Sequence, residues 1–361
     1  MNYRYNNLQQ NTLNNILLYH YLMSEPHKPH NLEKYSLEDL QNYLNSSKSN
    51  TNNKSTNTAN KNAPNTGSEL SKIPPMSIVK GIYEKQKAIY GVDDRKDLYE
   101  VFNERYLKAA DSVVALFTID QITDNGDGTS KLSLDNFGKA YNLCSDEKFR
   151  DQPIGAFCSG FLVASDKIAT AGHCVMHNGS NDGKKLEDIR FVFGFRMNGP
   201  GEPTTIIKNS EIYKGTSILG WEKKDDGADY AVIKLDHQVE NHTPVRVRKK
   251  EKIEDNASLY VIGCPCGLPM KFADGAEVRD NDPPTHMVCN LDTYGGNSGS
   301  PVFLDEIDDN ESPLVEGILV RGERDFKTVG NCDVSLVCPT TGCRGEDVTR
   351  TTIFAHLIDK E

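Results

Sequence analysis

No run of eighteen or more apolar residues occurs in the 361-residue chain, so none of its segments is long enough to cross a bilayer as an apolar helix. An excess of positive charge is also missing. The 41 Lys and Arg stand against 52 Asp and Glu, a formal net charge of −11, which argues against an extended face for neutralising nucleic-acid phosphates. A standard secretory signal is not visible at the given start, because residues 1–26 hold only the short apolar stretch 16–23, with no basic beginning and no small-residue cleavage site. Paired CxxC clusters are absent as well. Cys264 and Cys266 are one residue apart, and Cys332, Cys338 and Cys343 are five or six apart, spacings that speak against zinc.

Cysteine itself is plentiful. Nine in one chain are more than a reducing cytosol usually tolerates without a metal site, so disulfides are expected, and with them a secreted or periplasmic location. The odd count leaves at least one thiol free or paired with another chain. The 37% hydrophobic content supplies a substantial core.

Two regions differ in texture. Residues 46–68 (SSKSNTNNKSTNTANKNAPNTGS) are almost devoid of apolar side chains and read as a disordered linker. Before it, Leu32, Leu37, Leu40 and Leu44 recur at roughly helical spacing, which predicts one short amphipathic helix. After about Ile78 come short apolar runs separated by Gly, Asp, Asn and Pro: SVVALFTI (112–119), FCSGFLV (157–163), IRFVFGF (189–195), YAVIKL (230–235), LYVIGC (259–264), SPVFL (300–304) and VEGILVRG (315–322). Their length and β-branched content predict an all-β sandwich or barrel. DNGDGTSK (124–131) lacks the spacing and terminal Glu of a calcium loop and reads as a hairpin turn. The segment 330–350, with three cysteines, reads as a disulfide-pinned surface loop.

Peptide hydrolysis with a hydroxyl nucleophile requires a Ser, a His to take its proton, a carboxylate to fix the His tautomer, and backbone N–H groups aimed at the oxyanion. Ser298 lies in DTYGGNSGSPVF (292–303), a Gly-rich turn entering a strand, where the N–H groups of Gly296 and Ser298 can converge. His173 lies in ATAGHCV (169–175), and Asp229 lies in GADYAVIKL (227–235) at the mouth of an apolar strand.

TAGHC, DYAVIKL and GGNSGSPVF, in this order, resemble the three catalytic blocks of the chymotrypsin-like (trypsin-like) serine peptidases, and most resemble the bacterial glutamyl-endopeptidase branch. The similarity covers roughly residues 88–361. The order His, Asp, Ser separates the chain from α/β-hydrolases and subtilisins, which run differently. The resemblance implies two six-stranded antiparallel β-barrels with the active site between them, preceded by a mostly disordered N-terminal region. It also implies a serine endopeptidase working through an acyl-enzyme, with Ser298 as nucleophile, His173 as general base and acid, Asp229 as orienting carboxylate, and Gly296 and Ser298 as oxyanion donors. A disulfide between Cys158 and Cys174 follows from the same likeness. No cofactor and no metal are expected. The partner is a protein or peptide substrate, without nucleic acid or membrane span, and the protein is expected to be a monomer.

The pattern departs from the family in places. Asn297 replaces the Asp that pairs with a new N-terminus in trypsin-type enzymes. AIYGVDDRKDLY (88–99) resembles a mature N-terminal region, which makes residues 1–87 a propeptide and the protein a zymogen. Leu319 stands where glutamyl endopeptidases carry a pocket His. Asp292, at the offset of a trypsin-like pocket floor, together with Arg321 and Gly322 on the following pocket strand, gives the substrate-binding set and a preference for cleavage after basic residues. The competing reading is a catalytically inactive homologue that acts as a binding module.

Overall fold

Four of the apolar runs close into one barrel and three into a second, with strands added between them. A computed structural model describes residues 89–90, 93–177, 183–305, 311–322, 325–339 and 342–359, all within the compact unit Tyr83–Glu361. The expected helix at 32–44, the polar tract 46–68 and the propeptide 1–87 lie outside the described residues.

The first barrel comprises β1 (Val113–Thr118), β2 (Cys158–Ala164), β3 (Lys167–Thr170), β4 (Ile189–Phe193), β5 (Ile212–Lys223) and β6 (Asp229–Leu235), in the order β5-β6-β3-β2-β1-β4. Tyr213 opposite Phe191 returns β4 to β5 and closes the ring. Strands β1, β2 and β6 are buried on both faces, which is why they read as continuous apolar runs rather than as an alternation.

The second barrel comprises β7 (Ser258–Gly263), β8 (Lys271–Asp280), β9 (His286–Cys289), β10 (Pro301–Leu304), β11 (Leu314–Arg321) and β12 (Glu346–Arg350). Its order is β8-β7-β10-β11-β12-β9, and Val278 opposite Cys289 joins β9 back to β8. Leu259, Val261, Val278, Met287, Val302, Leu319 and Val348 fill one side of it. The all-β class and the pair of six-stranded antiparallel barrels are therefore as expected.

Three additions accompany the barrels. The chain at Lys96–Asp97 pairs with β8, so the segment leading out of the N-terminal region is stitched to the second barrel. Helix α1 (Glu104–Asp111) follows, capped by Asn103, whose side chain accepts the Arg105 N–H at 2.9 Å. The DNGDGTSK segment is a hairpin turn between Ile122–Asp124 and Thr129–Leu132, with Asp124 and Asp127 accepting the backbone N–H groups of Gly126 and Thr129. Three disulfides join Cys144 to Cys332, Cys158 to Cys174 and Cys338 to Cys343, while Cys264, Cys266 and Cys289 are buried thiols. The 330–350 segment is thus pinned by one local bridge and by one long-range bridge. No helix among the described residues is long and apolar enough to cross a membrane.

Candidate active site

Each barrel contributes one side of the site. From the first, the chain leaves β3 through the one-turn helix Gly172–Cys174, which carries His173, and Asp229 opens β6, whose pairing with β3 runs Ala231 opposite Thr170. That pairing brings the two side chains together. His173 Nδ1 lies 2.8 Å from Asp229 Oδ2, and the His173 backbone N–H donates to Asp229 Oδ1 at 3.0 Å. One carboxylate therefore fixes both the ring and the peptide of the histidine. Asp229 is 2% exposed and His173 27%, so the carboxylate is shielded while the imidazole reaches solvent. The disulfide between Cys158 and Cys174 ties β2 to the same turn.

The second barrel supplies Ser298 on the loop entering β10. The Ser298 carbonyl accepts the Ser159 N–H at 2.8 Å and lies 3.7 Å from the disulfide-bonded Sγ of Cys174, so the serine is docked against the turn that bears His173. No hydrogen bond links the two side chains in this structure, a separation common before substrate closes the contact.

The amides around Ser298 divide cleanly. The N–H groups of Gly295, Asn297, Gly299 and Ser300 donate to Asp325, Tyr294, Leu319 and Asn297 respectively. Those of Gly296 and Ser298 donate to no group among the described residues. Gly296 has φ +85°, and a Cβ there would sit 2.9 Å from the Cys264 carbonyl, so only glycine takes this turn without strain. The arrangement can stabilise an oxyanion with two adjacent, unengaged donors. Asn297 is buried, and its side chain accepts from the Ser300 hydroxyl at 3.3 Å.

The three residues read as substrate-binding are placed differently from one another. Asp292 is 4% exposed, with Oδ2 accepting the Asp94 N–H at 3.2 Å and Oδ1 buried without a hydrogen-bond partner among the described residues. Burial pushes its carboxyl well above the usual range, against the pull of the Asp94 N–H, and Asp93 adds to the rise. It is thus covered by the 93–95 segment. Arg321 is turned toward Asp229, Asp347 and the β5–β6 turn. Gly322 is exposed, and a Cβ on it would collide with the Glu346 carboxylate.

Glu346 is a group that sequence reasoning passed over. It is 7% exposed, and its Oε2 accepts the Thr293 hydroxyl at 3.1 Å. Thr293 precedes Ser298 by five residues, and Gly322 lies three residues beyond Leu319, which exchanges backbone hydrogen bonds with Gly299 and Ser300. A carboxylate therefore stands beside the chain that continues β11 past Leu319, the residue bonded to Gly299 and Ser300. Among the described residues, the side chains grouped closely enough to hold a metal are Cys158, His173 and Cys174, and their two sulfurs are bonded to each other. That set does not fit a metal centre.

Residues 158–308 match the family model of the trypsin-like peptidase domain. Among curated proteins, the chain is similar to one named extracellular metalloprotease from Bacillus subtilis, 30% identical over 162 residues, 44% of this chain and 49% of that protein. It is also similar to a glutamyl endopeptidase from Bacillus licheniformis, 24% identical over 151 residues, 40% of this chain and 45% of that one. The chain thus spans about half the length of the curated relatives it matches. A solved Glu endopeptidase in complex with MPD is 16% identical with a TM-score of 0.45, covering 75% of this chain and 98% of that one. Human heparin binding protein is 14% identical with a TM-score of 0.42, covering 70% and 91%. The three sequence blocks all fall within residues 158–308, the stretch that matches the trypsin-like peptidase domain, and the two six-stranded barrels give the fold around them.

Proposed function

We propose that the protein is a secreted serine endopeptidase in which Ser298 attacks the scissile carbonyl. His173 takes the hydroxyl proton and returns it to the leaving amine, while Asp229 holds the imidazole tautomer and the amides of Gly296 and Ser298 receive the oxyanion. Water then hydrolyses the acyl-enzyme by the same steps in reverse order. The observation that carries this reading is the pair of unengaged amides flanking Asn297, set beside a histidine whose ring and backbone are both held by one buried carboxylate. Three disulfides are consistent with an oxidising compartment. The metalloprotease name of one relative is not carried over, since the grouped donors do not suit a metal. The N-terminal 87 residues act as a propeptide on this reading, with a mature chain beginning near Ala88.

Preference for a basic residue before the cut is supported by Glu346 rather than by Asp292. A long cationic side chain entering beside Gly322 would meet a carboxylate oriented by Thr293, whereas Asp292 is sealed by Asp94 and raised toward its neutral form.

The test is a peptide-library digest run with a fluorophosphonate probe. Expected are labelling at Ser298, loss of labelling and of cleavage in Ser298→Ala by on the order of 10⁴-fold or more, and Lys or Arg enriched before the cut in a way that Glu346→Gln removes. Absence of labelling from both the full-length and the processed protein would overturn the enzyme reading in favour of a binding module. Labelling without basic enrichment would overturn the specificity alone.

A further inference from the structure

The surroundings of Asp229 contain one cation that the serine-peptidase reading leaves unused. Arg321 ends β11 in the second barrel, yet its guanidinium reaches the first. Nη1 donates to the Lys224 carbonyl at 2.9 Å and lies 3.9 Å from Asp229 Oδ2, Nη2 donates to the Gly227 carbonyl at 2.9 Å, and Nε donates to Asp347 Oδ2 at 3.0 Å. Lys224 and Gly227 belong to the turn between β5 and β6, so the fork grips the loop that delivers Asp229. Its anchor is rigid: Asp347 on β12 is 2% exposed and is also bound by Arg344 at 2.6 Å. Two residues along β12, the Thr349 hydroxyl accepts the Asp229 N–H at 3.0 Å.

We propose that Arg321 is a positioning residue, a cross-barrel clamp that fixes the Asp229 turn against β11 and β12 and keeps the Asp229–His173 pair in register with Ser298. The proposal rests on the triad reading given above. Its physical basis is that base and nucleophile come from different barrels, and a shift of about 1 Å between them can cost on the order of 10²-fold in rate. A planar fork with three acceptors in fixed directions resists such a slide, and a lysine ammonium cannot reproduce that geometry.

The experiment measures kcat and KM of peptide cleavage for the wild type, Arg321→Gln and Arg321→Lys, with thermal midpoints alongside. In Arg321→Gln, kcat is expected to fall roughly 10-fold with KM changed less than about 2-fold. Arg321→Lys should not restore kcat, because an ammonium cannot reproduce the fork. A rise in KM with kcat preserved would assign Arg321 to the pocket mouth and overturn the proposal, as would a folded Gln variant with the wild-type kcat. Should the Gln variant not fold, a folded Lys variant with wild-type kcat overturns the clamp by itself. A wild type that fails to label at Ser298 sinks the triad reading instead, an outcome distinct from all of these.

Discussion

The two barrels solve the same closure problem with different chemistry. Among the described residues, the strands of the first barrel bury only two charged side chains, Lys167 and Asp229. Lys167 donates to the Ile358 carbonyl at 2.7 Å, and Asp229 holds His173. The strands of the second barrel bury Lys271, Glu316, Glu346, Asp347 and Arg350, and Arg95 and Asp292 are packed in beside them. Each charge has a specific holder. Lys271 lies 2.7 Å from Asp97, Arg248 grips Glu316 at 2.5 and 2.9 Å, and Arg350 reaches Asn281 at 2.6 Å. The difference teaches where conditional structure resides. An apolar barrel keeps its shape by burial alone, whereas one laced with buried ions keeps its shape only while every partner is seated. The serine stands on the conditional side, and several of those partners belong to the segment 93–97.

The strongest way to break this contrast is to remove Arg95. Its guanidinium is 1% exposed, lies 4.0 Å over the Tyr294 ring, donates to the Tyr294 hydroxyl at 3.0 Å and pairs with Asp93 at 2.8 Å. Tyr294 is four residues from Ser298, and its carbonyl accepts the Asn297 N–H. Arg95→Ala is expected to cost about 3–5 kcal/mol, as for other buried pairs stripped of one partner, with a matching loss of Ser298 labelling. Urea denaturation checks it. A loss below about 1 kcal/mol would mean that the segment is held without its arginine and that the second barrel is no more conditional than the first.

The counterpart in the first barrel is its disulfide. Cys158 and Cys174 are both buried and close a separation of 16 residues, for which loop-closure entropy gives about 3 kcal/mol. The double alanine variant should unfold earlier in urea by that amount while keeping the pairing of β2 with β3, because the apolar strands remain. If it instead loses the first barrel altogether, then burial alone does not hold that barrel and the contrast drawn above fails.

The apolar runs read from the sequence became β1, β2, β4, β6, β7, β10 and β11, because strands buried on both faces display their burial directly in residue type. The first barrel was largely legible for that reason. Much of the second was not. In β12, Glu-Asp-Val-Thr-Arg, all five residues are buried, yet the run reads as a polar loop, since ion pairs rather than hydrophobicity make that burial tolerable. The long β5, half exposed and interrupted by Gly215 and Gly220, shows neither alternation nor an apolar run. The same blindness explains the site. His173, Asp229 and Ser298 sit in local blocks that a sequence displays, but Glu346 and the reach of Arg321 depend on the register that sets Arg321 opposite Asp347, a long-range pairing with no local sign. Asp292 was placed by its offset from Ser298, and the offset could not show that Asp94 covers it.

A polar knot joins the first barrel to helix α1, and it offers the finest test of the contrast. His242 Nδ1 lies 2.8 Å from Asp111 Oδ1 and Nε2 lies 2.7 Å from Glu211 Oε2, with the ring stacked 4.0 Å from Phe193. Burial lowers the affinity of this imidazole for its proton, but the two carboxylates outweigh burial and hold it above the ordinary value of 6.5. A base whose folded pKa is raised contributes stability that is fully present below 6.5 and is lost as pH rises through the folded value. Asp292 in the second barrel has the same sign of slope but an earlier window. Its raised carboxyl favours the neutral form, so stability begins to fall once pH passes the ordinary 3.8. Urea midpoints followed from pH 4 to 9 should therefore decline in two parts. His242→Gln should flatten the part above about 6.5, and Asp292→Asn the part that starts lower. This effect is the smallest of the three, since the histidine clamp lies near the surface where solvent screens it. A His242→Gln protein that keeps the upper decline would place the pH-sensitive ionisation elsewhere.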